Sequence, residues 1–475
     1  MVFSSLVFLC VFLPIVFILH TAIRQIKVRN ALLIAASLLF YAYGEPVFVL
    51  LMIFSSLINY GCALIIDRKQ KAGKAVLIIN IVFNLGMLVF FKYTPFLVGT
   101  VNEVCSLKIP VPEITLPIGI SFFTFQALSY VMDVYKHKVN AQKNYFNVLL
   151  YISFFPQLIA GPIVKYKDIS KEISQRKVTI DDACNGLRRF IFGLAKKVII
   201  ANTMALAADN IFAASAEQIN MLSAWIGALA YMFQIYYDFS GYSDMAIGLG
   251  KMFGFHFKEN FLYPYSADSV QDFWRRWHIS LSSWFKEYLY IPLGGNRKGR
   301  ARTCVNKIIV FFFTGLWHGA NWTFVLWGLY HGMFLLFEEY VPKIKKLPKF
   351  IRHIYTLLVV CVGFVIFRAD SISQGFFMIG KMFAGFDFSA SSSVLAVEQL
   401  TPWFIFAFAA AVLFCAPLQS VTLKIRNNFE GCEKISVKCK NAIQVCVYIF
   451  AFVLLAWCML RLSGDSYNPF IYFRF

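Results

Sequence analysis

Charged side chains are scarce in this chain. Only 15% of its 475 residues are charged, whereas 59% are hydrophobic and 18% are aromatic. The mean hydropathy is +0.64. A water-soluble domain needs more polar surface than this composition supplies. The deficit excludes a soluble protein and predicts that the apolar surplus faces lipid.

Several chemical signatures are also missing. The sequence has no Walker A motif, no G-x-G-x-x-G, no H-E-x-x-H and no G-x-S-x-G, which excludes the usual nucleotide-binding, zinc-protease and serine-hydrolase interpretations. The eleven cysteines include no C-x-x-C pair, and no histidines cluster at metal spacing. We therefore expect no metal and no bound cofactor. Because no internal repeat or low-complexity linker divides the chain, we predict a single domain over residues 1–475.

Apolar runs follow one another from end to end, and a helix needs about 20 apolar residues to cross a bilayer. We therefore predict an all-α polytopic membrane protein with about ten or more transmembrane helices and additional re-entrant segments. The first run lacks a basic leader and a cleavage site, so we expect it to be retained. The predicted spans are residues 3–22, 31–45, 46–66, 75–92, 115–133, 146–164, 186–213, 221–256, 305–338, 351–368, 400–420 and 442–460.

The formal net charge of +20 comes from Lys and Arg residues in short loops between these runs. Such loops lie on the cytoplasmic side and meet anionic lipid, so we do not expect nucleic-acid binding. The stretches 93–116 and 370–400 carry few, mixed charges and are predicted to be external. Alternation then places both termini outside the plasma membrane, provided that residues 146–164, interrupted by Pro156 and the Gly161-Pro162 pair, enter and leave on the cytoplasmic side.

One segment, residues 257–307, interleaves basic and aromatic side chains, among them Arg275, Arg276, Trp274 and Trp277. This pattern is typical of a helix at the cytoplasmic interface, with rings at headgroup depth and basic side chains extending to water. Two interpretations remain open: the segment is only a lipid-surface anchor, or its charge attracts an anionic substrate.

The histidine that most suggests chemistry is His318. A helix rising about 1.5 Å per residue from the basic loop near Lys307 brings it about 16 Å into the bilayer, where ionisable groups are costly and mark sites. A Gly-Ala-Asn turn ending at Asn321 predicts a hairpin tip lined by Trp317 and Trp322. Imidazole suits a general base near neutral pH. The alternative is a structural histidine that hydrogen-bonds a carbonyl.

Other polar residues in apolar runs favour structural roles. Asp238 and Asp244, in residues 236–244, are expected to hold a partner charge or to hydrogen-bond backbone at a helix break. Proton relay is the alternative for both carboxylates. His331, thirteen residues beyond His318, is interpreted as structural.

Several motifs together resemble the membrane-bound O-acyltransferase family, in particular its alginate O-acetyltransferase branch, with teichoic-acid D-alanylation proteins as near relatives. The resemblance covers the whole chain. The motifs are the opening M-V-F-S-S, L-P-I-G-I-S-F-F-T-F-Q at 116–126, F-P-Q-L-I-A-G-P-I at 155–163, Y-Y-D-F-S-G-Y-S-D at 236–244, F-W-R-R-W-H-I-S-L-S-S-W-F at 273–285 and G-L-W-H-G-A-N-W-T-F-V-L-W-G at 315–328.

The resemblance implies a helical shell around a central tunnel, in which an acyl thioester from the cytoplasm meets a hydroxyl from outside. The family's embedded histidine corresponds to His318, the expected general base, and its upstream histidine corresponds to His278, expected to shape the donor entrance. We place Asn321 beside His318 or the donor carbonyl as a geometric hypothesis. Trp317, Trp322, Arg275 and Arg276 complete the predicted donor-binding set.

The C-terminal tail, predicted to be extracytoplasmic over residues 461–475, ends S-Y-N-P-F-I-Y-F-R-F. It resembles the aromatic tail of a small partner protein of the D-alanyl transferases, whose tyrosine is proposed to relay the acyl group. Tyr472 occupies that position. A phenol can carry an acyl group because its ester has a fairly good leaving group. The alternative is an aromatic anchor at the membrane interface.

These features predict acetyl transfer from cytoplasmic acetyl-CoA to Tyr472, followed by transfer through an external SGNH-like acetyltransferase partner to a cell-surface polysaccharide. The external partner is implied by the resemblance alone. One rival keeps the fold but takes a D-alanyl or other acyl group from an acyl carrier protein. Another alternative is a transporter or flippase for a lipid-linked sugar. That function would predict symmetric repeats in the two halves of the chain, and the sequence shows no such repeats.

Overall fold

The computed structural model describes residues 1–416, 437–464, 467–468 and 470–471, and every regular element in those ranges is helical. In chain order the α-helices are α1 Leu13–Ala22, α2 Ile26–Ala42, α3 Phe48–Arg68, α4 Gln70–Leu88, α5 Thr94–Cys105, α6 Ile120–Tyr135, α7 Tyr145–Ser153, α8 Phe155–Leu158, α9 Tyr166–Ser174, α10 Ile180–Ala195, α11 Asn202–Ala213, α12 Met221–Met252, α13 Val270–Arg276, α14 Ile279–Phe285, α15 Arg300–His318, α16 Trp322–Tyr340, α17 Lys349–Arg368, α18 Ile372–Ala384, α19 Ala390–Gln399, α20 Pro402–Phe414 and α21 Val437–Gly464. Short π-helical turns at Phe8–Phe12, Val89–Tyr93, Lys196–Ala201 and Lys286–Tyr290, and 3-10 turns at Pro264–Ser266 and Pro342–Lys346, complete the elements.

Five helical stretches in the described part of the chain are long and apolar enough to cross a bilayer, and they are Phe48–Arg68, Lys71–Cys105, Ile180–Ala213, Lys349–Arg368 and Gln444–Gly464. Ser392–Gln399 and Pro402–Phe414, bent by 69°, would add a sixth crossing if they form one broken span. The prediction of an all-α multi-pass membrane protein is confirmed. The count of about ten or more crossings stays a prediction.

Helix α12 is the central element of the fold. It has 32 residues, most of them buried, and it packs along α10, α11, α17 and α18. Its contact with α10 is close because glycines face one another. A Cβ atom at Gly186 would lie 2.6 Å from the carbonyl oxygen of Gly248, and one at Gly193 would lie 2.6 Å from that of Gly241. Small residues that allow such approach are a common basis of helix packing in membranes, so α12 is held tightly as a wall of the site.

The path through residues 146–164 is broken, as Pro156 predicts. Helix α7 ends at Ser153, Phe154 leaves the helical conformation, and Pro156 stands in the first turn of the four-residue α8. The residues of this path from Val148 onward are buried in the protein. Non-helical backbone at membrane depth is tolerated in such a setting. The side of the membrane on which the path begins and ends stays a prediction.

Residues 257–307 differ from the expected single surface helix. They form a 3-10 turn, two short helices, α13 and α14, a π-helical turn and the start of α15. Their rings face inward, since Phe273 is 0% exposed and Trp284 is 6% exposed. Trp284 stacks on Phe125 with 3.9 Å between ring centroids. These rings therefore pack against the helical shell, and exposed basic side chains such as Arg275 and Lys286 lie on the outer surface of the segment. The position of the segment at the cytoplasmic interface stays a prediction.

Candidate functional site

The two helices α15 and α16 form a hairpin that ends at His318. Helix α15 ends at that residue, and α16 starts at Trp322 after a short turn. The hairpin is closely packed, because a Cβ atom at Gly315 would lie 2.3 Å from the carbonyl oxygen of Phe324. The glycine of this motif is needed for the approach of the two helices, and the predicted hairpin is confirmed.

The His318 imidazole is enclosed by aromatic rings. The residue is 7% exposed, and its ring lies 5.1 Å from the rings of Trp327 and Phe367. Its Nδ1 atom has no hydrogen-bond partner among the described residues. A buried polar atom without a partner is uncommon and needs an explanation. A substrate hydroxyl would supply the missing partner.

His318 lines a small apolar cavity of about 10 Å³, which we call the inner cavity. Such a volume is about what one water molecule needs. The side chains around it are aromatic or aliphatic apart from the histidine: Ile235, Phe239, Trp277, His318, Trp327, Phe364, Phe367 and Ile471. The inner cavity is therefore a tight, dry space beside a possible base.

His278 lies close to His318 although forty residues separate them in the sequence. The rings of His278 and Trp317 are 5.8 Å apart, and Trp317 directly precedes His318. The ring of His278 also contacts that of Phe239 at 4.5 Å, and Phe239 lines the inner cavity. The structure thus brings both predicted histidines into contact with the Trp317 indole.

The backbone of His278 has an unusual conformation. Its φ of 43° and ψ of 56° are left-handed, which costs a non-glycine residue about 1–3 kcal/mol. Its Nδ1 lies 3.2 Å from Oδ1 of Asn260, and its Nε2 has no partner in the part of the chain that the structure describes. Strained, buried and half-satisfied side chains of this kind cluster at functional sites.

A second and larger cavity, about 510 Å³ in volume, is lined by residues of α13, α14, α15 and α16. We call it the basic cavity, and its size is that of a small-molecule site. Four basic side chains line it, namely Arg275, Lys286, Lys307 and Lys345. Two acids are also present, but Glu339 pairs with Lys307 and Glu338 accepts hydrogen bonds from the N–H groups of Val270 and Gln271.

One face of α15 connects the basic cavity with His318. Lys307, Phe311 and Thr314 line the basic cavity, and the spacing of three and four residues places them and His318 on the same helical face. The rings of Trp274 and Trp327, 5.5 Å apart, lie between the two cavities. Two cavities separated by paired indoles therefore lie along α15, and the continuous tunnel implied by the family resemblance stays a prediction.

The predicted donor-binding residues have different positions. Arg275 lines the basic cavity, whereas Arg276 forms an ion pair of 2.8 Å with Asp272. Trp317 is buried between the histidines, but Trp322 is 46% exposed and packs on Phe96. Arg275 and Trp317 therefore fit the predicted site better than their neighbours do.

Asn321 caps the start of α16. Its Oδ1 accepts a hydrogen bond of 3.0 Å from the N–H of Thr323, and its Nδ2 donates one of 3.1 Å to the carbonyl of Asp370. This is the usual role of an N-cap asparagine. The capping role accounts for the residue, and the hypothesis that it contacts the donor carbonyl stays a prediction.

Both predicted structural aspartates hold partner charges. Asp238 forms a buried ion pair of 2.6 Å with Lys197, and it also accepts a hydrogen bond of 2.7 Å from the N–H of Ile471. Asp244 pairs with Arg189 at 2.8 Å and with Lys196 at 2.6 Å. These contacts fit the scaffold role predicted for both carboxylates.

The described part of the tail is bound inside the protein. The hydroxyl of Tyr467 donates a hydrogen bond of 2.6 Å to Asp209, and the amide of Asn468 donates one of 2.8 Å to the carbonyl of Ser4. Ile471 is 3% exposed and lines the inner cavity with His318. Tyr472 lies outside the described residues.

Sequence reasoning missed two residues at this site. The ammonium of Lys92 donates to the carbonyls of Trp317 at 2.7 Å and of His318 at 3.0 Å. The hydroxyl of Tyr93 donates to the carbonyl of Leu316. The available signal was a single lysine at the end of an apolar run, which is unusual within a membrane span.

Several known proteins are similar to this chain over much of its length. The sequence profile of the membrane-bound O-acyltransferase family matches residues 140–378. The chain is 39% identical to the probable alginate O-acetylase AlgI of Pseudomonas putida, with 100% of both chains covered. It is 38% identical to the peptidoglycan O-acetyltransferase of Helicobacter pylori over 79% of this chain and 78% of that protein. Identity to the teichoic acid D-alanyltransferase of Bacillus subtilis is 29%, over 53% of this chain and 68% of that protein.

Proposed function

The chain belongs to the membrane-bound O-acyltransferase family and is an O-acyltransferase, and we propose that it O-acetylates a cell-surface polysaccharide using acetyl-CoA. The matches confirm the family resemblance of the motifs. The resemblance of the tail to a separate partner protein stays a prediction. In our proposal acetyl-CoA binds from the cytoplasm, and Tyr472 of the tail receives the acetyl group first.

The observation that carries the proposal is that His318 lines the inner cavity and lies on the face of α15 that also lines the basic cavity. The basic cavity has the size and charge to hold an anionic nucleotide thioester. The inner cavity is lined by Ile471, the tail residue that directly precedes Tyr472. In our proposal His318 acts as the general base for a tail hydroxyl that attacks a donor entering from the basic cavity.

The proposed chemistry is acyl transfer in two steps. His318 takes the proton of the Tyr472 hydroxyl, the phenolic oxygen attacks the thioester carbonyl, and the C–S bond breaks. The imidazolium then returns its proton to the departing thiolate, so that acetyl-tyrosine and free CoA are formed. In the second step an SGNH-like external partner transfers the acetyl group to a polysaccharide hydroxyl and regenerates the Tyr472 hydroxyl.

The lining of the inner cavity favours acetyl over D-alanyl as the group transferred. A D-alanyl thioester carries an ammonium group, which needs a carboxylate or several carbonyls when it is buried. Among the residues that the structure describes, none of those lining the inner cavity is a carboxylate. The names of two relatives, alginate O-acetylase and peptidoglycan O-acetyltransferase, support the same choice.

Labelling of the purified protein with radioactive acetyl-CoA tests the relay. The wild type is compared with His318→Ala and Tyr472→Phe, and peptide mapping locates the label. Tyr467→Phe is the matched control for the tail, and His331→Ala is the control for a buried histidine of the same hairpin. We expect label on Tyr472 in the wild type and in both controls, and none in the two test variants.

Surface acetylation in cells separates the enzyme from the relay. If the wild type takes up no label while His318→Ala still abolishes surface acetylation, the O-acetyltransferase stands and the Tyr472 step is wrong. If His318→Ala acetylates the surface at the wild-type level, the assignment of the base is wrong.

A further inference from the structure

Lys92 is a basic residue in a position where a charge is energetically unfavourable. It lies well inside the candidate membrane span Lys71–Cys105, and it forms no ion pair with a described carboxylate. A charged lysine inside a membrane is energetically unfavourable, and an intramembrane ionisable residue marks a functional site by default.

The contacts of Lys92 are concentrated on the end of helix α15. Its ammonium binds the carbonyl oxygens of Trp317 and His318, at 2.7 and 3.0 Å. The last carbonyls of a helix have no partner within the helix and carry its negative dipole end. After His318 the backbone is extended at Gly319, so the lysine takes the place of the usual backbone cap.

The neighbouring residue adds a third contact to the same helix end. Tyr93 donates its hydroxyl to the carbonyl of Leu316. Lys92 and Tyr93 reach α15 together because they lie in the π-helical turn Val89–Tyr93, and such turns occur often at functional sites. Three successive carbonyls of α15 are therefore held from one adjacent turn.

We propose that Lys92 is a positioning residue for the acyl transfer reaction, acting through His318. By binding the carbonyl of the histidine itself, it fixes the end of α15 and thereby the imidazole beside the inner cavity. This inference rests on the proposed function, because it assumes that His318 is the base. A displacement of about 1 Å at a catalytic group can cost about 100-fold in rate.

The test measures the labelling of purified protein by radioactive acetyl-CoA. The maximal rate and the acetyl-CoA concentration that gives half of it are determined for the wild type, Lys92→Met, Lys92→Arg and Tyr93→Phe. Lys92→Met removes the charge but keeps an unbranched chain. Tyr93→Phe removes a neutral hydrogen bond from the same helix end and is the matched control. Thermal unfolding of each protein reports on its stability.

We expect Lys92→Met to lower the maximal rate about 100-fold while the half-saturating concentration changes less than about threefold. Lys92→Arg restores at least about a tenth of the wild-type rate, because its guanidinium can also donate to two carbonyls. Tyr93→Phe stays within about fivefold of the wild type.

Three results would overturn the inference. The first is an unchanged maximal rate in Lys92→Met. The second is a loss confined to the half-saturating concentration, which would make Lys92 a donor-binding residue. The third is an equal loss of rate and thermal stability in Lys92→Met and Lys92→Arg, which would make it structural only.

Failure of the proposed function gives a different pattern. If the wild type is not labelled, surface acetylation in cells replaces labelling as the measure of rate, and the same order of variants is expected. If His318→Ala is as active as the wild type, the base is misassigned and the positioning role is lost with it. If His318→Ala is inactive while Lys92→Met is fully active, only the inference about Lys92 is wrong.

Discussion

The basic cavity and the inner cavity both border helix α15, and they differ in nearly every property. The first has a volume of about 510 Å³ and four basic side chains. The second has about 10 Å³ and an aromatic and aliphatic lining. In the proposed function, the large charged space binds the anionic donor and the small apolar space accepts a short acyl group. Binding and chemistry would then be divided between two spaces that share α15.

In the proposed function the largest effect falls on His318, which lines the inner cavity and shares a face of α15 with the basic cavity. We expect His318→Gln to lower acetyl transfer by about 10²–10⁴-fold, because a positioned general base contributes that much. His331→Gln, on the returning helix, should lose less than about tenfold. Turnover of purified protein at saturating acetyl-CoA measures both rates. Equal losses of rate in the two variants would mean that His318 has no catalytic role that distinguishes it from His331.

The basic cavity should govern donor affinity more than the chemical step. We expect Arg275→Gln to raise the half-saturating acetyl-CoA concentration about tenfold, since a charge-assisted hydrogen bond is worth about 1.5–3 kcal/mol. Arg276→Gln is the matched control, because Arg276 already pairs with Asp272 and should change affinity less than about twofold. Added salt should weaken donor binding in the wild type more than in Arg275→Gln. A larger affinity loss in Arg276→Gln would show that the nucleotide lies elsewhere.

The inner cavity should govern which acyl group reacts. We expect Phe364→Ala to enlarge it and to lower the preference for acetyl-CoA over butyryl-CoA about tenfold, since each methylene in an apolar pocket is worth about 1–3 kcal/mol. Arg275→Gln should leave that preference unchanged. Competition between the two donors, with the acyl products separated by mass, gives the ratio. An unchanged preference in Phe364→Ala would mean that this cavity does not hold the acyl group.

The features that could be predicted from the sequence are those determined by residues that are close together in the chain. Hydropathy indicated the helical membrane fold, the Gly-Ala-Asn turn indicated the α15–α16 hairpin, and Pro156 indicated the break before α8. Each of these follows from residues within one or two helical turns. The family motifs pointed to His318 and His278 but gave no geometry for either.

Contacts between distant parts of the chain could not be read from the pattern. Asp238 and Ile471 are 233 positions apart, and Lys92 reaches a helix end 226 positions later. Arg275 and Arg276 are neighbours in sequence, yet successive residues of a helix point about 100° apart, so one lines a cavity and the other pairs with an acid. The inward rings of residues 257–307 were likewise decided by tertiary packing.

The smallest expected effect is on the stability of the fold and concerns Glu287, which lies in the same segment, residues 257–307, as Arg275. Glu287 binds Lys165 at 2.6 Å, Lys167 at 3.2 Å and Lys138 at 3.3 Å. Burial opposes its ionisation, but hydrogen bonds and charge from Lys165 and Lys167 outweigh burial and lower the pKa of Glu287 to about 2. Because the folded-state pKa lies below the ordinary value, the carboxylate stabilises the fold fully above about pH 4.5, and that contribution is lost as the pH falls toward 2.

We therefore expect Glu287→Gln to lower the unfolding temperature at pH 7 by a few degrees, equivalent to about 1 kcal/mol after allowance for solvent screening. The difference between the variant and the wild type should shrink as the pH is lowered below about 4.5. Thermal unfolding of detergent-purified protein at several pH values measures this. A difference that grows on acidification would mean that the protonated form of Glu287 is the stabilising one, and the basic segment would then be held by packing of its inward rings, without help from this ion-pair cluster.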